Sequence, residues 1–128
     1  MSAEQNKAAI RRQLEGLNTR NVSVLEKLAD ALYAANYTLH DPDYPGLPPG
    51  PEGVKQFVRG TLQSMPDVHV TIEDMVAEGD RVATRFTVDG TNASTGKPMR
   101  ILVMAISHFV GGKIAEEWEL GVPAAPQP

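Results

Sequence analysis

The apolar residues of this chain repeat with a helical period in its first half and with a period of two in its second half. In residues 2–17, 23–35 and 51–65 they recur every three or four positions, which predicts three amphipathic helices. Between residues 68 and 122 they alternate with polar residues or form short runs, which predicts strands. The helical pattern is clearest in the third segment, where Pro51 suits a first helical turn.

Local signals predict where these elements begin and end. Ser23 followed by Glu26 predicts a capping box at the start of the second helix. Residues 40–51 hold five prolines and two glycines, which predicts an ordered loop. The glycine pair at 111–112 predicts a two-residue hairpin turn. The predicted order is helix, helix, short strand at 36–40, helix and a four-stranded antiparallel meander, which is an α+β fold.

Composition limits the class of protein. The length of 128 residues suits one domain, and with no cysteine the chain has neither disulfides nor thiolate chemistry. The net charge is −4 and the basic residues are scattered, so we expect neither a nucleic acid nor a membrane as a partner. We expect a cytoplasmic protein, because the chain shows no signal peptide and no run of about 18 apolar residues. The three histidines lack metal-site spacing, so no metal is expected.

Three spaced segments together carry a family resemblance. They are the proline-rich loop with the Gly-Pro-Glu-Gly-Val that follows it (40–54), the stretch from Met-Pro-Asp to Arg-Val-Ala (65–83), and Gly-Lys-Ile-Ala-Glu-Glu-Trp (112–118). Over about residues 5 to 122 the chain resembles the SnoaL-like polyketide cyclases of the nuclear transport factor 2-like superfamily. We expect a single SnoaL-like domain at 1–122, and the prolines of residues 123–128 predict a C-terminal tail that is neither helix nor strand. The resemblance also implies a cone-shaped barrel in which a curved sheet and three helices enclose a pocket.

The resemblance implies two possible functions. Cyclase members use an acid/base pair in the pocket without metal or cofactor, so we expect a cofactor-independent cyclase, isomerase or hydrolase acting on a small hydrophobic carbonyl or epoxide compound. The alternative is a small-molecule-binding module without catalysis. The family's aspartate falls about four residues after the tryptophan of Glu-Glu-Trp, and Val122 takes that position here. Val122 favours the binding module, because it has no carboxyl group.

Hairpin geometry suggests which side chains line the pocket. A regular two-residue turn at 111–112 places Ser107 opposite Glu116 and Ala105 opposite Trp118, and opposed residues share a sheet face. Glu116 is then a carboxyl group on an apolar face, where a raised pKa suits a general acid or base. A single bulge would exchange these assignments. The residues predicted to line the pocket are Phe57, Phe86, Ala105, Ser107, Trp118 and Leu120.

The remaining candidates lie at the pocket mouth and on the opposite face. His40 and Asp41 precede the proline-rich loop, and in extended backbone only one of them points inward. His108 is a weaker catalytic candidate, because the alternation of its strand turns it away from the pocket. On that same outer face Leu102, Met104 and Ile106 are apolar, which predicts a homodimer.

Overall fold

Three helices and five strands follow one another in the predicted order. The structure is a computed structural model, and it describes residues 2–126. The helices are α1 (Ala3–Gly16), α2 (Val22–Leu32) and α3 (Pro51–Ser64), with a short 3-10 turn at Leu17–Thr19. The strands are β1 (Tyr33–His40), β2 (His69–Glu78), β3 (Arg81–Thr91), β4 (Pro98–Val110) and β5 (Lys113–Ala124).

The five strands form one mixed sheet in the order β1-β5-β4-β3-β2. Strands β2 to β5 are the predicted antiparallel meander, and β1 joins it at one edge by pairing in parallel with β5. The sheet is curved without being closed, and the helices pack against its inner face around the hydrophobic core. The predicted α+β fold with a cone-like, curved sheet is confirmed. Within residues 2–126 no helix combines the length and apolar character needed to cross a membrane.

The start of α2 differs from the predicted capping box. The helix begins at Val22, one residue before Ser23, and the side chain of Asn21 accepts a hydrogen bond from the backbone N–H of Val24 at 3.2 Å. Asn21 is therefore the N-cap, a role that suits asparagine as well as serine. The carboxylate of Glu26 is free to pair with Arg59 of α3, which ties the two helices together.

The proline-rich loop is held against β1 by its glycines. Gly50 has φ +79°, a conformation that a side chain would strain, and its N–H donates to the carbonyl oxygen of Tyr37 at 2.9 Å. At Gly53 a Cβ atom would stand 2.0 Å from the carbonyl oxygen of Pro48, so only glycine fits there. These contacts fix the loop next to the strand that supplies the site.

The last hairpin contains a bulge that the sequence pattern alone does not reveal. Phe109 of β4 pairs with Ile114 of β5, but the next pair is His108 with Glu116, so Ala115 has no partner on β4. Every residue of β5 beyond Ala115 therefore faces the side opposite to the one that a regular hairpin would give.

Strand β5 also extends further than predicted. The expected strand end is Val122, but Pro123 and Ala124 continue the pairing, with Ala124 opposite Arg100. Proline is tolerated here because it lies near the end of a strand. The rest of the predicted tail includes residues 127–128, which lie outside the described residues.

Candidate functional site

A cavity of about 150 Å³ lies between the helices and the inner face of the sheet. Its walls are mainly apolar, with contributions from α1, α3 and strands β3 to β5. Four residues predicted to line the pocket do so, namely Phe57, Phe86, Ala105 and Ser107. The alternation predicted for β4 is correct, since no bulge interrupts that strand against β3.

The bulge at Ala115 corrects the predicted site residues of β5. Glu116, Trp118 and Leu120 lie on the outer face, with Trp118 38% and Leu120 64% exposed. They do not line the inner cavity, contrary to the prediction. Glu117 and Glu119 line it instead. A carboxyl group does lie on the apolar inner face, but Glu117 and Glu119 supply it in place of Glu116.

Glu117 is anchored deep in the cavity wall by two hydroxyl groups. The Tyr37 hydroxyl donates to one carboxyl oxygen at 2.7 Å, and the Ser107 hydroxyl donates to the other at 2.5 Å. Burial raises the pKa of Glu117, while the two hydrogen bonds act in the opposite direction. The pKa of Tyr37 is raised by burial and by the charge of Glu117, so its hydroxyl stays protonated and available as a donor. This cluster ties β1, β4 and β5 together.

Glu119 has a different environment on the same face of β5. Burial raises its pKa well above the ordinary value, and so do a hydrogen bond with Asp41 and the negative charge of Glu117. All three influences favour the protonated form, because two neighbouring carboxylates in a poorly hydrated site cannot both be ionised. Asp41 and Glu119 therefore form a carboxyl pair in the cavity wall, in which Asp41 favours the protonated form of Glu119.

The orientation of the residues at the end of β1 determines whether His40 or Asp41 reaches the cavity. Tyr37, Leu39 and Asp41 alternate along the chain and all line the cavity. His40 points to the outer face, where its Nε2 lies 2.6 Å from a Glu116 oxygen. Of the predicted pair, Asp41 is the inward residue.

His40 also stacks on Trp118, with ring centroids 5.4 Å apart, and so belongs to an outer cluster that does not touch the inner cavity. The guanidinium of Arg81 lies 5.5 Å from the centre of the Trp118 ring on this face.

His108 faces away from the cavity, as its strand alternation predicts. Its Nε2 lies 2.9 Å from an Asp80 carboxylate oxygen, and this hydrogen bond holds the pKa of Asp80 below its ordinary value. In residues 2–126 no group of three or more histidine, aspartate or glutamate side chains is placed to hold a metal ion.

Three residues of the inner site are not among the residues predicted from the sequence: Tyr37, Glu117 and Glu119. Tyr37 lies within the predicted strand at 36–40, and its even spacing from Asp41 is the signal that the two side chains share a face. The inward orientation of the two glutamates depends on the bulge at Ala115, which the sequence pattern does not reveal.

The curved α+β sheet with a pocket under its helices defines the class of nuclear transport factor 2-like folds. The model of the SnoaL-like domain family matches residues 10–117 of this chain, so the chain belongs to that family. The comparison with curated proteins gives no significant match.

Solved structures with the same fold include proposed polyketide cyclases. IdmH from Streptomyces antibioticus is 26% identical, with a TM-score of 0.75 over 91% of both chains. A protein from Bacillus cereus is 27% identical, with a TM-score of 0.76, and the match covers 94% of this chain and 78% of that one. A protein from Jannaschia sp. CCS1, at 13% identity and a TM-score of 0.82 over 93% and 86%, shows the fold alone.

Proposed function

We propose that this chain is a cofactor-independent acid/base enzyme that acts on a small hydrophobic carbonyl compound. The observation that carries this proposal is the Asp41–Glu119 carboxyl pair in the wall of an otherwise apolar cavity. Such a pair can supply an acid and a base at one place, because Glu119 is favoured in its protonated form beside a second carboxyl group. The proposed polyketide cyclases among the structural relatives support carbonyl chemistry.

The reaction that suits this pair is enolisation. Asp41, acting as the base, takes a proton from the carbon next to a carbonyl group, and the electrons of that C–H bond form the carbon–carbon double bond of an enol. Glu119 gives its proton to the carbonyl oxygen, so no charge accumulates in the cavity. Returning a proton to another carbon gives an isomerase. In a cyclase, the enol carbon attacks a second carbonyl group, the enol O–H returns its proton to Glu119, and Asp41 gives its proton to the resulting alkoxide.

Glu117 acts as a positioning residue in this proposal. Its two oxygens are already bonded to Tyr37 and Ser107, so it is less available for proton transfer than Glu119. Its negative charge helps to keep Glu119 protonated. An epoxide substrate fits the same groups, since a protonated carboxyl group can activate its oxygen.

The alternative function is a binding module that holds a small molecule without transforming it. One observation favours this alternative: Val122, at the position of the family's aspartate, lies on the outer face and is 58% exposed. The carboxyl pair would then only serve as a hydrogen-bonding partner for the ligand.

Hydrogen–deuterium exchange of a small ketone tests the proposal without knowledge of the natural substrate. Acetophenone is incubated with the protein in D₂O, and the loss of its methyl proton signal is followed by NMR. A cavity of about 150 Å³ is large enough to hold a benzene ring. We expect the wild-type protein to accelerate exchange by about 100-fold or more over the buffer, the range of general acid–base catalysis.

The variants Asp41→Asn and Glu119→Gln should bring exchange down to the background rate, because each removes one of the two proton carriers. Glu116→Gln is the matched control, since it changes the same residue type on the same strand but on the outer face. A wild-type protein that binds acetophenone without accelerating exchange would exclude the enzyme and support the binding module.

The outer face of the sheet supports a second proposal, a homodimer. Leu102, Met104 and Ile106 on β4 are 44%, 66% and 45% exposed, and Trp118 and Leu120 continue this apolar surface on β5. A contiguous apolar patch on the outer face favours burial against another protein. A second copy of this chain suits it, because a twofold axis brings the same patch of both copies together.

A further inference from the structure

Three rows of side chains cross the inner face of the sheet from β3 through β4 to β5. They are Val82–Ser107–Glu117, Thr84–Ala105–Glu119 and Phe86–Val103–Gly121. In the first row the hydroxyl in the middle bonds the carboxyl group at the end. In the second row the middle residue is an alanine, whose side chain has no hydrogen-bonding group.

The second row therefore contains a hydroxyl group without a partner. Thr84 is 4% exposed, and within residues 2–126 its Oγ1 makes no hydrogen bond to the protein. A buried hydroxyl without a hydrogen bond costs stability. Thr84, Ala105 and Glu119 all line the cavity. The hydroxyl without a partner thus belongs to a residue of the cavity wall.

We infer that the Thr84–Ala105–Glu119 row is a binding site for a carbonyl oxygen of the ligand, which sits over Ala105 between the two flanking side chains. The ligand oxygen would occupy the place that the Ser107 hydroxyl takes in the neighbouring row. Adjacent strands lie about 4.8 Å apart, so the Cα atoms of Thr84 and Glu119 are about 10 Å apart with only a methyl group between them.

The chemistry of the flanking groups selects a carbonyl oxygen. The Thr84 hydroxyl can donate a hydrogen bond, and Glu119 in its protonated form can donate a second one. A carbonyl oxygen has two lone pairs and accepts both, and the same two bonds stabilise the enol oxygen during proton transfer. This inference rests on the proposed function and specifies where the substrate's oxygen binds.

A pair of probes of similar shape tests the site. Acetophenone carries the carbonyl oxygen and ethylbenzene lacks it, and the Kd of each is measured by NMR titration of the protein. The quantity of interest is the ratio of the ethylbenzene Kd to the acetophenone Kd. We expect Thr84→Val to lower this ratio about tenfold, the effect of one hydrogen bond, and Thr84→Ser to keep it.

Thermal unfolding of the same variants separates this role from a structural one. Thr84→Val replaces a hydroxyl that has no protein partner by a methyl group of the same shape, so its Tm should equal or exceed that of the wild type. A Tm several degrees lower would show that the hydroxyl is bonded within the protein, and would overturn the inference.

A second variant changes Ala105, the residue between Thr84 and Glu119. Ala105→Ser places a hydroxyl between Thr84 and Glu119, as Ser107 is placed next to Glu117. We expect it to fold, to raise the Tm, and to lower the Kd ratio as Thr84→Val does, because the protein then supplies its own oxygen.

The outcomes distinguish this inference from the proposed function. If the wild-type protein exchanges the protons of acetophenone and the ratio is the same in all variants, the oxygen site is wrong while the enzyme stands. If the wild-type protein binds neither probe, both are wrong. A ratio that falls in Thr84→Val and Ala105→Ser but not in Thr84→Ser supports the site.

Discussion

Asp41 and Glu119 are brought together by the parallel pairing of β1 with β5. His40 is the register partner of Trp118, so the residue after each, Asp41 and Glu119, meets its counterpart on the inner face. An antiparallel edge strand would carry the chain away from β5 in the opposite direction. The carboxyl pair therefore depends on the one parallel contact of the sheet, at the point where β1 leads into the proline-rich loop.

The raised pKa of Glu119 predicts a pH-dependent cost to stability. Above about pH 4.3 the unfolded chain releases this proton, while the folded protein retains it. The folded state then binds more protons, so the free energy of unfolding falls as the pH rises from the ordinary pKa to the raised one. Glu119→Gln removes this cost. We expect its Tm at pH 7 to exceed that of the wild type by a few degrees, because about 1 kcal/mol corresponds to roughly 3–6 °C in such a domain.

The difference between Glu119→Gln and the wild type should disappear near pH 4, where both states of the wild type hold the proton. Differential scanning calorimetry between pH 4 and 8 measures it. Glu116→Gln, on the outer face of the same strand, is the control and should show no such gain. A constant difference across this pH range would contradict the assigned environment of Glu119.

The Tyr37 hydroxyl is predicted to stabilise the fold through Glu117. Tyr37→Phe removes a donor from a carboxyl group that burial already disfavours, so we expect a loss of about 1–3 kcal/mol in the free energy of unfolding. The edge-to-face packing of the ring on Tyr33, at 4.7 Å between centroids, is retained by phenylalanine. Urea denaturation measures the loss.

Tyr44→Phe is the matched control for Tyr37→Phe. Tyr44 is 42% exposed, and its ring packs against Phe57 at 4.6 Å. We expect Tyr44→Phe to lower the free energy of unfolding by less than about 0.5 kcal/mol. Equal losses in the two variants would show that the bond to Glu117 contributes nothing to stability.

The order of elements and the faces of β4 could be predicted because each depends on local spacing. Ile101 and Val103 face inward while Leu102 and Met104 face outward, as the alternation along an uninterrupted strand requires. The predicted N-cap of α2 is wrong by two residues, since Asn21 and Ser23 are both good caps and local sequence does not decide between them.

The faces of β5 could not be predicted, because its composition suits either register. Glutamates occupy positions 116, 117 and 119, so both faces of the strand carry carboxyl groups whichever way it is turned. Trp118 and Leu120 look like core residues, yet they form part of an apolar outer face. Only the bulge at Ala115, which depends on how β5 pairs with β4, distinguishes the two arrangements.

Ligand binding is predicted to depend on Phe86 and not on Trp118. Phe86 lines the inner cavity and Trp118 lies on the outer face, although both are large aromatic residues. We expect Phe86→Leu to weaken acetophenone binding at least threefold, and Trp118→Leu to leave it within twofold. The Kd of acetophenone for each variant, measured by NMR titration, tests this prediction. The reverse order of effects would place the ligand on the outer face.

The outer apolar face is predicted to hold the homodimer together. Met104 and Leu120 lie directly opposite each other in the β4–β5 pair and are 66% and 64% exposed. Met104→Glu places a charge in the middle of this surface, so we expect light scattering at micromolar concentration to show a monomer of 13.8 kDa. Gln56→Glu, an exposed position on α3, adds the same charge and should keep the dimer.

The wild-type protein must give about twice the mass of one chain in the same measurement for the dimer proposal to stand. A wild-type mass of one chain would mean that the outer face is exposed in solution.

The bulge at Ala115 is predicted to be essential for the inner site. Deleting Ala115 allows a regular hairpin, in which Glu116 and Trp118 turn inward while Glu117 and Glu119 turn outward. Tyr37 then loses its carboxylate partner, and the larger Trp118 must enter a closely packed wall. We expect a loss of several kcal/mol in the free energy of unfolding and no ketone exchange. Deleting Ser94 from the exposed turn before β4 is the control, and it should cost far less. A deletion variant that keeps both the wild-type Tm and the exchange rate would show that β5 can restore its register without Ala115, and that the bulge does not determine the site.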